Sequence, residues 1–266
     1  MNWWGKLIGG AFGFMVGGPI GALLGAALGH NFDKGLTGVL KGTVGGVGET
    51  ERVQSAFFAA TFSIMGYMAK ADGRVSEVEI STANHIMSQM MLNSEQRDVA
   101  KRLFNEGKQP QFDLEAVLGQ FKQECHRRSN LIQMFLEIQI ATVLADGVAD
   151  QKELDVLYHI GKQLGFNAGI IDQLVQMVQA QQRYANQSSD KRVPTKSDIK
   201  NAYQVLGVAE SADDAQVKKA YRRLMNQHHP DKLVSKGLPD EMMKLATEKT
   251  QEIKRAYEQI MRIRKQ

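Results

Sequence analysis

Cysteine is nearly missing from this chain of 266 residues. The single Cys125 excludes an intramolecular disulfide framework and cysteine-built zinc clusters, and it fits a reducing compartment. Set between Glu124 and His126 in an expected helix, it reads as an inert thiol. Strand-like alternation is missing as well: from about Glu51 to Gln182 apolar residues recur at steps of three and four, which leaves no place for a sheet. Charge is missing from residues 7 to 29. Because the whole chain is 23% charged and 43% apolar, as in soluble globular proteins, that uncharged run is a local feature of a chain long enough for two domains.

What fills residues 7–29 is apolar and regular. At 1.5 Å rise per residue the run spans roughly 34 Å as a helix, enough to cross a bilayer's hydrocarbon core. Trp3, Trp4 and Lys6 flank one end and His30, Asp33 and Lys34 the other, as interfacial anchors would. Gly9, Gly13, Gly17, Gly21, Gly25 and Gly29 recur every four residues, so on a helix they form one smooth groove into which a second helix fits closely. The expectation is a transmembrane helix that anchors the chain and self-associates into a homodimer, with Pro19 as a possible kink. A cleaved signal peptide, for which Ala27-Leu28-Gly29 offers a site, fits less well because the run exceeds a usual signal core. Residues 1–6 are then a short tail and 30–50 a glycine-rich juxtamembrane segment.

Residues 51–182 read as an all-α bundle of roughly seven helices. Val53, Phe57, Ala60 and Ile64 share one face, as do Ile132, Phe135, Ile138 and Thr142. Two stretches repeat at an offset of 74 residues: FSIMGYMAKADGRVSEVEI from Phe62 and LEIQIATVLADGVADQKEL from Leu136. In each, Ala-Asp-Gly closes a helix, and then Ser76 with Glu79, or Asp150 with Glu153, has capping-box spacing. The repeat favours two helix-turn-helix corners. Its alternative is convergence of Asp72, Glu79, Asp146 and Glu153 on a metal ion, though not as an EF-hand, whose loop needs a different carboxylate pattern. With its KADGRVSEVEI element, this region resembles the TerB-like all-helical domain, which implies an α-bundle and, in some relatives, acidic residues suspected of binding metal.

Polar residues and Pro194 mark 183–197 as a linker. Beyond it lies AYQVLGVAESADDAQVKKAYRRLMNQHHPDK, from Ala202 to Lys232. Ser211 is placed to cap a helix with Asp213 and Asp214 in its first turn. Val217, Ala220, Tyr221 and Leu224 form the buried stripe, and Lys218, Lys219, Arg222 and Arg223 occupy the rest. Pro230 cannot continue the helix, so His229 and Asp231 should be held out on a loop, followed by a flexible KLVSKGL stretch. Pro239, Asp240 and Glu241 mark a last helix whose seam follows Met243, Ala246, Thr250, Ile253, Tyr257 and Ile260.

Residues 198–266 resemble a J-domain, on the strength of YQVLGV, VKKAYRRLMNQHHPDK and QEIKRAYEQI. The resemblance implies a three- to four-helix domain that docks on a DnaK-class chaperone and promotes its ATP hydrolysis. Carried over by position, His229, Pro230 and Asp231 are the trigger, and Lys218, Lys219, Arg222 and Arg223 the electrostatic docking face. Tyr203, Leu206, Val217, Tyr221, Leu224, Ile253 and Tyr257 match scaffold positions. Thr250 departs from the family, where phenylalanine is common.

The order of membrane segment, TerB-like bundle, linker and terminal J-domain is similar to a membrane-anchored family of DnaJ-like proteins in Gram-negative bacteria. That likeness implies an inner-membrane protein with its N-terminus periplasmic and its domains cytoplasmic, acting in envelope-stress signalling or protein quality control. An alternative makes the bundle an envelope-stress or metal sensor, with the J-domain as its output. No nucleophile, base and orienting residue cluster around His229 in sequence, so neither enzymatic activity nor a cofactor is expected. Nucleic-acid binding is disfavoured: from Lys191 to the end basic residues outnumber acidic ones, but the only aromatics there, Tyr203, Tyr221 and Tyr257, fall on expected core faces.

Overall fold

The computed structural model describes residues 18–27, 49–70, 81, 83–84, 86–88, 90, 92–145, 150–187, 196–239 and 242–264. Among these residues there is no strand, and the all-α expectation holds. The helices are α1 (Glu49–Met68), α2 (Ser94–Gly107), α3 (Leu114–Glu124), α4 (Ser129–Val143), α5 (Gln151–Gln163), α6 (Ala168–Gln187), α7 (Lys196–Leu206), α8 (Asp214–His228), α9 (Pro230–Val234) and α10 (Met243–Arg264). Further helical residues lie at 18–27 and between 81 and 88.

Helix α1 is the axis of the bundle, with α2, α3 and α4 packed around it. The expected face of Val53, Phe57, Ala60 and Ile64 is fully buried, but so are Ala59, Phe62 and Met65 on other sides. A helix apolar all round belongs inside rather than on a surface. Phe57 meets Phe121 of α3 and Phe135 of α4 with ring centroids 6.1 and 6.3 Å away, and Phe121 and Phe135 are 4.6 Å apart. These three rings tie α1, α3 and α4 together.

Against α2 the approach is closer still. A Cβ at Gly66 would collide with the Phe104 carbonyl, and one at Gly107 with the Ser63 carbonyl, so each helix uses glycine where the other's backbone passes. Asn93 and Gln96 form a capping box for α2, and Asp113 caps α3 through the Ala116 amide. The expected box at Asp150 and Glu153 opens α5, whereas Ser76 and Glu79 lie outside the described residues.

Of the expected span 7–29, residues 18–27 are described and helical. The Ile20 amide donates to Gln120 Oε1 at 2.7 Å, and Arg102 Nη1 donates to the Ala27 carbonyl at 2.7 Å. Among the described residues no helix is long and apolar enough to cross a membrane. Gly21 and Gly25 lie half-buried on this helical stretch; Gly9, Gly13, Gly17 and Gly29 fall outside the described residues.

Helices α7 to α10 form the C-terminal domain. Helix α10 packs on α7 and α8, with Tyr221 and Tyr257 stacked at 4.2 Å and 15° between α8 and α10. In the α10 seam Ala246, Thr250, Ile253 and Ile260 are buried. Met243 is not: it is 41% exposed, and the preceding Met242, in the turn that starts the helix, is fully buried in its place. The Thr250 hydroxyl donates to the Thr247 carbonyl at 2.8 Å, so its polar group is satisfied inside the seam. Arg264 closes the domain, donating to Tyr203 Oη at 2.9 Å and to Asp214 Oδ1 at 2.6 Å.

Candidate chaperone-docking site

Helix α8 begins later than Ser211. Asp213 is its N-cap, accepting from the Gln216 amide at 2.7 Å, and Gln216 Oε1 accepts from the Asp213 amide at 2.9 Å. A reciprocal box satisfies two otherwise orphan amides, which Ser211 cannot match from two residues upstream. From that start the helix buries Val217, Ala220, Leu224 and His228, one residue per turn, with Tyr221 half-buried beside them. Lys218, Lys219, Arg222 and Arg223 are all exposed, so the four cations form one uninterrupted solvent face.

The helix stops at His228 because Pro230 excludes the helical conformation from the residue before it. His229 is accordingly extended, at φ −60° and ψ 124°, and serves as C-cap of α8 and N-cap of α9. The expected loop is therefore a sharp corner followed by one helical turn, with Pro230 at the first position, where its missing N–H costs nothing. Amides of Leu233 and Ser235 donate to the carbonyls of His229 and Asp231, both at 3.0 Å. Leu233 and Leu238 are fully buried, and Gly237, at φ +95°, turns the chain back. The KLVSKGL stretch is thus anchored at both leucines instead of being a free loop.

The corner presents to solvent the Asp231 carboxylate, 88% exposed, and part of the His229 ring, 45% exposed, whose Nδ1 is itself buried, 4.0 Å from Asp231 Oδ2. Lys232 donates to Asn226 and extends the positive surface past the end of α8. Of the seven expected site residues, Lys218, Lys219, Arg222, Arg223 and Asp231 are exposed, and His229 and Pro230 are half-buried. Of the metal candidates, Asp72, Glu79 and Asp146 lie outside the described residues, and Glu153 accepts from the Asp150 amide at 3.2 Å in its capping box. Among the described residues no cluster of His, Cys, Asp or Glu could hold a metal. Cys125 is fully buried at the end of α3, and burial pushes its thiol up to about 12, against a smaller opposing effect of Arg128.

One group of residues leaves only a faint trace in the sequence. Glu137 of α4 is 3% exposed and pairs with Lys249 of α10, while His228 Nε2 lies 3.6 Å from the same carboxylate. Burial alone would raise the Glu137 carboxyl; Lys249, the neighbouring imidazole and Gln133 outweigh it and hold the group below the usual carboxylate range. Burial pushes His228 down to about 4, with Lys249 adding to the effect and Glu137 opposing it, so the ring is neutral at pH 7. The legible signal was a lone acid inside the apolar run LIQMFLEIQIATV.

A helical bundle joined to a small domain in which a basic helix ends at an exposed His-Pro-Asp corner defines a J-domain protein. Comparison with known families agrees along the chain: the co-chaperone DjlA transmembrane domain matches residues 1–44, the tellurite resistance protein TerB residues 58–176, and the DnaJ domain residues 201–266. Curated relatives include the co-chaperone protein DjlA of Photobacterium profundum, 44% identical over 97% of both chains. Those of Coxiella burnetii and Shewanella oneidensis are each 45% identical, over 99% of both chains and over 98% and 97% respectively. This chain belongs to the DjlA family. No solved structure matches it.

Proposed function

We propose that this protein is a membrane-anchored co-chaperone whose J-domain docks on a DnaK-class chaperone and stimulates its ATP hydrolysis. The observation that carries the reading is the exposed basic face of Lys218, Lys219, Arg222 and Arg223 on a helix that ends at the His229-Pro230-Asp231 corner, with Asp231 exposed and His229 and Pro230 half-buried. Four cations on one face favour a fast, salt-sensitive encounter with an acidic partner surface. The cornered His229 and Asp231 then act as the trigger, as polar contacts made after docking. Hydrolysis is the partner's chemistry; this chain supplies binding energy and geometry. Neutralising Lys218, Lys219, Arg222 and Arg223 together should raise the concentration needed for half-maximal stimulation and flatten its dependence on salt. An unchanged salt dependence would remove the docking role from this face.

The match of residues 1–44 to a transmembrane domain supports a single span at 7–29, with the N-terminus periplasmic and both domains cytoplasmic, where ATP feeds the partner. In the bilayer, residues 18–27 exchange their contacts with Gln120 and Arg102 for lipid and for a second copy of the same glycine-grooved helix. Replacing Gly17, Gly21 and Gly25 with leucine should lower cross-linked dimer while carbonate-washed membranes keep the protein. Equal dimer yield in this variant would rule out the glycine face as the contact. The role of the whole is quality control or stress signalling at the inner membrane.

A further inference from the structure

The corner that carries His229, Pro230 and Asp231 is pinned to the bundle at both of its ends. On the N-terminal side, Asn130 Nδ2 donates to the Gln227 carbonyl at 3.2 Å and Gln227 donates to Gln133 Oε1. Gln133 Nε2 in turn donates to Glu137 Oε1 at 2.7 Å, and Lys249 holds the other oxygen of that carboxylate. Asn130, Gln133 and Glu137 follow one face of α4 at steps of three and four, so a single helix face grips the end of α8 and the middle of α10. On the C-terminal side, Gly237 lies so close to α1 that a Cβ there would stand 2.7 Å from Val53 Cγ1 and 3.7 Å from the Thr50 carbonyl. His228, next to the corner, is 1% exposed.

The grip leaves the docking strip open. The four cations of α8 are exposed, Asp231 is 88% exposed and the His229 ring 45%. A masking contact would cover these groups; this one covers only their backing.

We propose that the bundle is a positioning support for the trigger corner: the J-domain stimulates the chaperone while this corner is seated on α4 and α1, and Glu137 is the residue that seats it on α4. The proposal rests on the co-chaperone reading above.

The test uses the full-length chain in lipid nanodiscs, with Cys125 replaced by alanine, in single-turnover ATP hydrolysis by a DnaK-class chaperone. Gln133→Cys with Gln227→Cys, bridged by a short thiol-reactive linker, should stimulate as well as the unbridged form. Glu137→Gln, which keeps shape and removes the charge, should lower maximal stimulation by about fivefold or more while leaving the half-saturating concentration nearly in place. Bridging the Glu137→Gln variant should restore its maximum, a rescue that general loss of stability would not show. Silencing by the bridge, or a rise in stimulation on Glu137→Gln, would overturn the proposal and make the attached state an inhibited one. A parent that gives no stimulation overturns the co-chaperone reading and this proposal with it; a parent that stimulates while its bridged form does not overturns this proposal alone.

Discussion

Glu137 and Lys249, 112 residues apart in sequence, meet as an ion pair whose side chains are 2% and 12% exposed, at the seam between the bundle and the J-domain. Such a pair depends on both partners, because either charge left alone inside costs more than the pair contributes. Lys249→Met should therefore destabilise the chain by about 3 kcal/mol, whereas Glu137→Leu with Lys249→Met together should lie within about 1 kcal/mol of the parent. Urea unfolding of the detergent-solubilised protein gives both values. Additive losses in the double variant would show that the charges do not compensate each other.

The neighbouring imidazole makes the same seam sensitive to acid. Burial first, with Lys249 beside it, lowers His228 from 6.5 to about 4, and the attraction of Glu137 only partly opposes this. The unfolded chain therefore binds a proton there that the folded chain refuses. The sign follows: this contribution is complete above about pH 6.5 and is lost as pH falls toward 4, amounting to roughly 3 kcal/mol over the window. His228→Gln should flatten the parent's fall in urea midpoint between pH 6.5 and 5. Parallel profiles for parent and variant would place the acid sensitivity elsewhere.

Much of the site was legible beforehand because it is local. The stripe of Val217, Ala220 and Leu224, the cations between, and the break at Pro230 all follow from helix period and proline chemistry within fifteen residues. Ser211 and Asp213 both suit the N-cap of α8, and the glutamine three residues after Asp213 decides for Asp213. The seam period extends to Met243, but the helix starts there and Met242 reaches the core first. The grip of α4 on α8 and α10 joins residues about a hundred positions apart, and no local pattern encodes it. Glu137 in an apolar run was its trace, a charge that burial must pair.

Glycine at the α1–α2 crossing was equally invisible, since Gly66 and Gly107 look like any helical glycine. Each stands where the other helix's backbone passes, so Gly66→Ala or Gly107→Ala should cost about 3 kcal/mol through overpacking. Gly119 in α3 is the control: nothing lies within 4 Å of its missing Cβ, and Gly119→Ala should stabilise by about 0.5–1 kcal/mol through helix propensity alone. Thermal unfolding that moves all three variants the same way would show that the close approach does not govern these sites.

The most direct measurement is single-turnover ATP hydrolysis by a DnaK-class chaperone with the parent and with His229→Gln. His229 stands at an exposed corner, its ring outside the core, so the variant should keep its helix content by circular dichroism. The parent should accelerate hydrolysis and His229→Gln should leave it at the chaperone's own rate. A variant that accelerates hydrolysis as well as the parent would contradict the assignment of the trigger and, with it, the proposed mechanism.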